Sequence, residues 1–280
     1  MNNQINTVAI TGSTGGIGKE IALELAKLGK NLIFVDRNIY KIQKLKSEIL
    51  KAYPNISIEY VINDLSNLNL VKKAVEHLKN LEFDALILNA GVYNVPTKKL
   101  DSGYNNIFQI NFLSQYYLAK KLIKANKIKK IVMTSSLAYA LSKPNKNDLD
   151  FSRNKSQNKI YSNSKKYLML ALSELSKDTN ISFAIANPGV TLTTLTAHFP
   201  KWINWFVKFG MKVIFPSNKK ASKNIVYALL NDCPKNKWVS PKILNVWGKP
   251  KVKKLKYSNK ESKEIYNLAN KMFDTLERVN

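Results

Sequence analysis

The run Thr11-Gly12-Ser13-Thr14-Gly15-Gly16-Ile17-Gly18 decides how the chain is read. It follows a short β-branched stretch, Thr7–Thr11, and precedes a segment of helical period from Lys19 to Leu28. Glycine at 12 permits a tight turn, and glycines at 16 and 18 let strand and ligand approach the backbone closely. A helix that starts there turns unpaired N–H groups and a positive dipole end toward a pyrophosphate. Glycines also simply break strands into helices. The strand before this run and the helix after it are the context that a dinucleotide site requires.

Outward from that turn, apolar β-branched runs alternate with longer segments of helical period. The strand candidates are Thr7–Thr11, Asn31–Val35, Ser57–Ile62, Ala85–Leu88, Lys130–Thr134 and Ser182–Ala186. Between them lie the helix candidates Lys19–Leu28, Ile39–Lys51, Leu70–Leu78, Tyr104–Lys124 and Tyr161–Leu175. Strands that read as continuous apolar runs are those buried on both faces of a parallel sheet. The alternation therefore predicts an α/β fold over residues 1–280. It is a single Rossmann-type domain, a doubly wound parallel sheet of about six or seven strands with helices on both faces. After Pro188 the pattern is less regular; Ile243–Val246 is the candidate for a last strand.

Composition narrows the class. Of 280 residues 45% are hydrophobic, enough for a buried core, and no apolar run is long enough to span a membrane. The opening residues lack the pattern of a secretory signal, and the lone Cys233 rules out an internal disulfide, so a cytoplasmic location is expected. Cys233 itself reads as an inert thiol. The net charge of +26 comes almost wholly from lysine, since only Arg37, Arg153 and Arg278 are arginine. Readers of nucleic acid rely on arginine forks, so the charge reads as a solvated lysine-rich surface and no nucleic-acid partner is expected. Such a surface still attracts anionic lipid in a salt-dependent way.

The second strand ends at Asp36-Arg37, about 20 residues past the glycines, where an adenosine ribose belongs. Asp36 suits free ribose hydroxyls and repels a 2′-phosphate, favouring NAD; Arg37 would pair with that phosphate and keeps NADP open. Asp64, beside Leu65 after the third strand, is placed to accept from an adenine amino group. Asn89-Ala90-Gly91 offers small residues against which a cofactor can lie. Each of these pairs also reads as an ordinary turn signal.

Tyr161 and Lys165 stand four residues apart, on one helix face. An ammonium beside a phenol favours phenolate and lowers the tyrosine pKa toward the range of a general acid/base. Most Tyr-x-x-x-Lys pairs merely face solvent. Ser136, at the end of the fifth candidate strand, would lie at the carboxyl edge of the sheet, where a hydroxyl can hold a substrate oxygen. Ser135 is the competing serine.

Taken in order, these motifs resemble those of the short-chain dehydrogenase/reductase family over about residues 7–195. The Thr11–Gly18 run is similar to the family's T-G-x-x-x-G-x-G, Asn89-Ala90-Gly91 to its N-A-G, and Tyr161–Lys165 to its Y-x-x-x-K. Asn111 matches its helical asparagine, and Pro188-Gly189-Val190 followed by Thr193 its P-G segment. The resemblance implies an NAD(P)-dependent oxidoreductase acting on a carbonyl or alcohol. It makes Tyr161 the acid/base and has Lys165 bind the nicotinamide ribose. Ser136, favoured over Ser135, orients the carbonyl, and Asn111 holds a relay water. Thr193 with Pro188, Gly189 and Val190 holds the nicotinamide; Gly12, Ser13, Gly16, Ile17 and Gly18 take the pyrophosphate end. No metal is implied. Ser136 and Tyr161 stand 25 residues apart, which exceeds the usual spacing and resembles the retinol-dehydrogenase-like branch, which handles lipophilic substrates. That branch commonly prefers NADP, at odds with Asp36.

Residues 188–220 are expected to cover the substrate or to meet a membrane. Within them, 200–215 places Lys201, Asn204, Lys208 and Lys212 on one narrow helical face and Trp202, Trp205, Phe206, Phe209 and Val213 on the rest. Three readings stand: an apolar lid, an interfacial helix in peripheral membrane contact, and a homo-oligomer contact. His198 reads as a bystander and His77 carries no signal. Two non-catalytic readings stand beside the enzyme: a dinucleotide-binding regulator that has lost turnover, and a membrane-surface scaffold. The intact Ser136, Tyr161 and Lys165 argue against the first.

Overall fold

Val8 and Ile10 of strand β1 (Thr7–Thr11) pack into one apolar layer while Ala9 packs into another, all without exposure. The same alternation runs through β2 (Asn31–Asp36), where Leu32 and Phe34 face one layer and Ile33 and Val35 the other. Strands with both faces buried need a helical layer on each side. The computed structural model describes residues 5–125, 128–144, 148, 151, 156–189, 217–234 and 236–278.

The remaining strands are β3 (Ile58–Ile62), β4 (Ala85–Leu88), β5 (Lys130–Thr134), β6 (Ser182–Ala186), β7 (Lys237–Ile243) and β8 (Trp247–Lys254). They form one sheet in the order β3-β2-β1-β4-β5-β6-β7-β8. Every pairing is parallel except that of β8 on β7. The order reverses direction at β1, so the carboxyl ends of β1 and β4 border the crevice where such sheets bind ligands.

Helices α1 (Gly16–Lys27), α2 (Ile39–Ala52) and α7 (Asn218–Leu230) bury Ile21, Leu25, Ile42, Ile49, Ile225 and Leu229 in one layer. The other layer receives α3 (Leu68–Lys79), a single turn α4 (Asn106–Phe108), α5 (Ser114–Lys124), α6 (Gln157–Leu175) and α8 (Asn259–Arg278). Short polar side chains start several of these helices. Asn38 accepts from the Lys41 N–H, Asn67 from the Leu70 N–H, and Ser217 from the Lys220 N–H, each relieving an orphan donor.

The structure departs from the sequence reading in three places. The sheet has eight strands, not six or seven. Ile243–Val246 is no strand: Ile243 ends β7, and residues 244–246 form the turn into β8. That hairpin escapes an apolar-run search because β8 is a lysine-rich edge strand, mostly exposed on one face. The segment expected as one helix from Tyr104 to Lys124 begins at Asn106, capped by Asn105, and passes through a π-helical turn, Gln109–Leu113. Of the segment 188–220, residues 188–189 line a cavity at the carboxyl ends of the strands and residues 218–220 open α7. Val190, Thr193, His198 and the whole of 200–215 lie outside the described residues.

Candidate active site

The carboxyl ends of the strands border a cavity of about 1080 Å³, room for a dinucleotide and a small substrate together. One end of it is the turn after β1, expected from the sequence to take a pyrophosphate. Gly12 holds a left-handed φ of +65°, and a Cβ there would sit 2.9 Å from the Ala90 Cα. A Cβ on Gly18 would come within 2.0 Å of the Gly12 carbonyl oxygen, so this glycine serves the packing of helix on turn before it serves any ligand. No side chain caps the amino end of α1, and Gly15, Gly16, Ile17 and Gly18 all line the cavity. Ser13 does not: it is fully buried, its hydroxyl without a partner among the described residues.

Asp36, at the end of β2, is bound to this turn. Its Oδ2 accepts from both the N–H and the hydroxyl of Thr14, each at 2.8 Å, and its Oδ1 accepts from the Arg37 N–H at 2.8 Å. Asp36, Arg37 and Lys41 line the same end of the cavity. Asp64 Oδ1 accepts from the N–H and hydroxyl of Ser66, and the Leu65 carbonyl accepts from Ser114 and Gln109. Between them the side chain of Asn63 is buried against the cavity with neither amide atom satisfied among the described residues. Orphaned amides cost stability unless a ligand completes them. These small residues, the open helix end and the unsatisfied Asn63 amide fit a dinucleotide.

Asn89 ties strand ends together. Its Nδ2 donates to the carbonyls of Thr11 and Gly12 at 3.3 and 3.2 Å, and its Oδ1 accepts from Thr134 at 3.4 Å. Thr11 Oγ1 in turn accepts from the N–H groups of Asn89 and Ala90, both at 3.0 Å. Gln115, not singled out by the sequence, closes the network: it is fully buried and donates to the Ala90 carbonyl at 2.8 Å. A glutamine among the buried apolar positions of α5 is the one local signal it leaves. Asn111 sits in the π-helical turn and clamps Val92, accepting from its N–H at 2.7 Å and donating to its carbonyl at 2.8 Å. The space at Gly91 between Asn111 and Lys165 is tight, since a Cβ there would lie 3.2 Å from Asn111 Oδ1 and 3.4 Å from Lys165 Nζ.

Ser136, Tyr161 and Lys165 meet on the wall of this cavity. Ser136 follows β5 and hydrogen-bonds the Tyr161 phenol; its hydroxyl also accepts from the Ala138 N–H at 3.3 Å. Ser135 makes no such bond, and its buried hydroxyl has no partner among the described residues. Lys165 is buried, donates from Nζ to the Thr134 carbonyl at 3.0 Å, and lies 6.0 Å from the centroid of the Tyr161 ring. Burial pulls its pKa down to about 8. Burial also holds the phenol of Tyr161 above its ordinary value; the bond from Ser136 works the other way, and the nearby Tyr93 adds to the rise. The lowered phenol pKa expected from the sequence is thus not a property of the chain by itself. Desolvation is the largest influence on the phenol, and the Lys165 ammonium donates to the Thr134 carbonyl.

The sequence reading missed Tyr93, whose ring lies 4.7 Å from that of Tyr161 and whose hydroxyl donates to Asn158 at 2.8 Å. With Val92, Val95, Leu137, Ala140 and Leu141 it makes the wall beyond the phenol largely apolar. Pro188 and Gly189 complete that end, Gly189 at a φ of +84°. Among the described residues no cluster of side chains suits a metal, and no helix is long and apolar enough to cross a membrane.

Residues 6–204 match the family described as short chain dehydrogenase. Human polyprenol dehydrogenase is 26% identical over 92% of this chain and 78% of its own length. Human retinol dehydrogenase 13 is 31% identical over 69% of this chain and 61% of its own. A short chain dehydrogenase of Aspergillus sclerotiorum is 38% identical, but over 42% of this chain and 33% of that longer protein. Among solved structures, a protein of unassigned function from Mycobacterium paratuberculosis superposes with a TM-score of 0.73 over 97% of this chain and 92% of its own, at 22% identity.

Proposed function

The chain belongs to the short-chain dehydrogenase/reductase family, and on that premise we propose that it moves a hydride between a nicotinamide dinucleotide and the carbonyl or alcohol carbon of a lipophilic substrate. The observation that carries this reading is the meeting of Ser136, Tyr161 and Lys165 on the wall of the cavity that also contains the glycine turn. When bound, the dinucleotide supplies the hydride donor or acceptor. The chain's own residues handle the proton. In reduction, the Tyr161 hydroxyl donates to the substrate oxygen as charge develops there, while Ser136 orients that oxygen and then stabilises the phenolate. Lys165, charged below its pKa of about 8, holds the phenolate further by its field. In oxidation the proton returns by the same route.

Gly12, Gly16, Ile17 and Gly18 would hold the pyrophosphate, Asn63, Asp64 and Leu65 the adenine, and Asp36 the ribose. A carboxylate keeps acceptor capacity beyond the three donors already on Asp36, which suits ribose hydroxyls and opposes a 2′-phosphate. We therefore read the cofactor as NAD, with Arg37 and Lys41 as the features that favour NADP. The apolar wall around Tyr93 supports a lipophilic substrate, as do relatives named for polyprenol and retinol.

The test is binding of NADH and NADPH to the protein, followed by near-ultraviolet absorbance with a panel of aliphatic, aromatic and isoprenoid aldehydes and ketones. Tyr161→Phe should keep dinucleotide affinity and lose about 10²- to 10⁴-fold in turnover. A variant as active as the parent would remove Tyr161 from the mechanism. Failure to bind either dinucleotide would sink the proposal.

A further inference from the structure

The stretch from Lys237 to Lys256 holds seven lysines and no acidic residue, and it folds as the β7–β8 hairpin with the residues just after it. A solvated edge hairpin accounts for the lysines, which guard an open strand edge against pairing. It does not account for the tip. There Ile243 and Leu244 are 55% and 76% exposed, and Trp247 begins β8 with more than a third of its surface exposed. Leu244 and Asn245 both take left-handed φ values, +47° and +60°, and the Val246 N–H donates to the Ile243 carbonyl at 2.9 Å. Asparagine or glycine suits that conformation; a leucine there is strained, and it gains no burial within the fold to offset the strain. Strain of this kind, left uncompensated inside the fold, is common where a residue serves a functional contact.

The tip stands beside the cavity mouth. The last β6–β7 register pair is Ala186 with Val239, and β7 continues four residues beyond it, past the carboxyl edge of the sheet. Asn187 Nδ2 donates to the Asn245 carbonyl at 2.9 Å, and a Cβ on Gly189 would meet the Val246 carbonyl oxygen at 3.0 Å. Pro188 and Gly189 line the cavity. Lys253 pins the turn from below, donating to the Lys242 carbonyl and to Asn245 Oδ1 at 3.0 and 2.7 Å. Lys242, Lys249 and Lys251 are exposed around it.

We propose that the β7–β8 hairpin tip is a docking element for an anionic lipid bilayer. Ile243 and Leu244 enter the interface, Trp247 sits at headgroup level, and the surrounding lysines meet the acidic headgroups. Seated this way, the tip brings the cavity mouth to the bilayer surface, where a lipophilic substrate is concentrated. That last consequence rests on the catalytic reading above; the docking itself does not.

The experiment is sedimentation of the full chain with vesicles of phosphatidylcholine alone or mixed with phosphatidylserine, at low and high salt, for the parent and for Leu244→Asn and Ile243→Thr/Leu244→Asn. Asparagine relieves the strained turn, so the variants should unfold no more easily than the parent and bind dinucleotide equally. The parent should bind phosphatidylserine vesicles at low salt and release them at high salt. Leu244→Asn should weaken that binding about tenfold and the double variant further, by loss of inserted apolar surface. Equal binding by parent and variants, or no binding by the parent, would overturn the proposal. So would equal binding to uncharged vesicles, or a self-association in solution that the variants abolish. A variant that binds dinucleotide but not vesicles separates docking from catalysis.

Discussion

Asp36 accepts three donors from its own chain, two of them from Thr14 on the glycine turn, so it shapes the turn as well as the end of the cavity proposed to hold the adenosine. Asp36→Ala should weaken NADH binding about tenfold or more and NADPH binding less, since the 2′-phosphate escapes a repulsion. Dissociation constants from fluorescence titration check this, and an unchanged ratio would remove Asp36 from cofactor choice. Lys165 carries a signature that needs no substrate. Its ammonium titrates near pH 8 when buried and near its ordinary 10.5 when the chain unfolds. Between these values the unfolded chain binds more protons, so the Lys165 contribution to stability rises with pH, fully present above 10.5 and lost as pH falls through 8. The span amounts to about 3 kcal/mol. Urea midpoints of parent and Lys165→Met should therefore converge between pH 8 and pH 10, the variant being the more stable at the lower pH. Tyr161, held above 10, contributes little change in this window.

The π-helical turn Gln109–Leu113 is the element that sets the cavity wall at Val92. An i→i+5 turn is costly and recurs at functional sites because it aims a side chain that an α-helix would misplace. Here it delivers Asn111 to both backbone groups of Val92, directly after Gly91, whose missing side chain leaves room between Asn111 and Lys165. Asn111→Leu keeps the size and leaves the Val92 N–H and carbonyl unpaired, at about 2–5 kcal/mol. Denaturant unfolding should show that loss, and turnover should fall with it as the wall shifts. A loss under about 1 kcal/mol would show that Val92 finds other partners.

At the scale of the molecule, α8 covers the apolar face that α5 and α6 would otherwise present to water. Its Phe273 is 2% exposed, lies tilted against Tyr117 with ring centroids 5.1 Å apart, and sits under the Lys120 ammonium at 4.0 Å. The helix is anchored at its other end by an ion pair between Lys166 and Glu261 and by the Ser262 hydroxyl donating to Glu174. Phe273→Ala should cost about 3–5 kcal/mol by leaving a cavity between α5 and α8. Because Phe273 is remote from the glycine turn, dinucleotide affinity of the folded fraction should not change. A variant that kept full stability would mean that α8 is peripheral to the core.

Short-range pattern carried much of this protein. Six strands, the glycine turn and the pairing of Tyr161 with Lys165 follow from periods of two and 3.6 residues and from the conformational freedom of glycine. The choice of Ser136 over Ser135 came from resemblance; that Ser136 bonds Tyr161 and Ser135 does not is seen only in the fold. Other features are not written in any local window. The π-helical break in the long helix, the clamp of Asn111 on Val92, the Gln115 network and the spending of Lys165 on Thr134 join groups far apart in the chain. The raised phenol pKa of Tyr161 belongs with them, because desolvation depends on everything packed around a group. The β7–β8 hairpin and its exposed tip likewise escaped, since a lysine-rich edge strand lacks the apolar run that marks a central one. Residue spacing along the chain settled the six strands before Pro188, the glycine turn and the shared face of Tyr161 and Lys165; the edge hairpin, the π-helical turn and the way burial and long-range hydrogen bonds set each side chain's charge, partners and exposure were decided only when the sheet and its helices packed together.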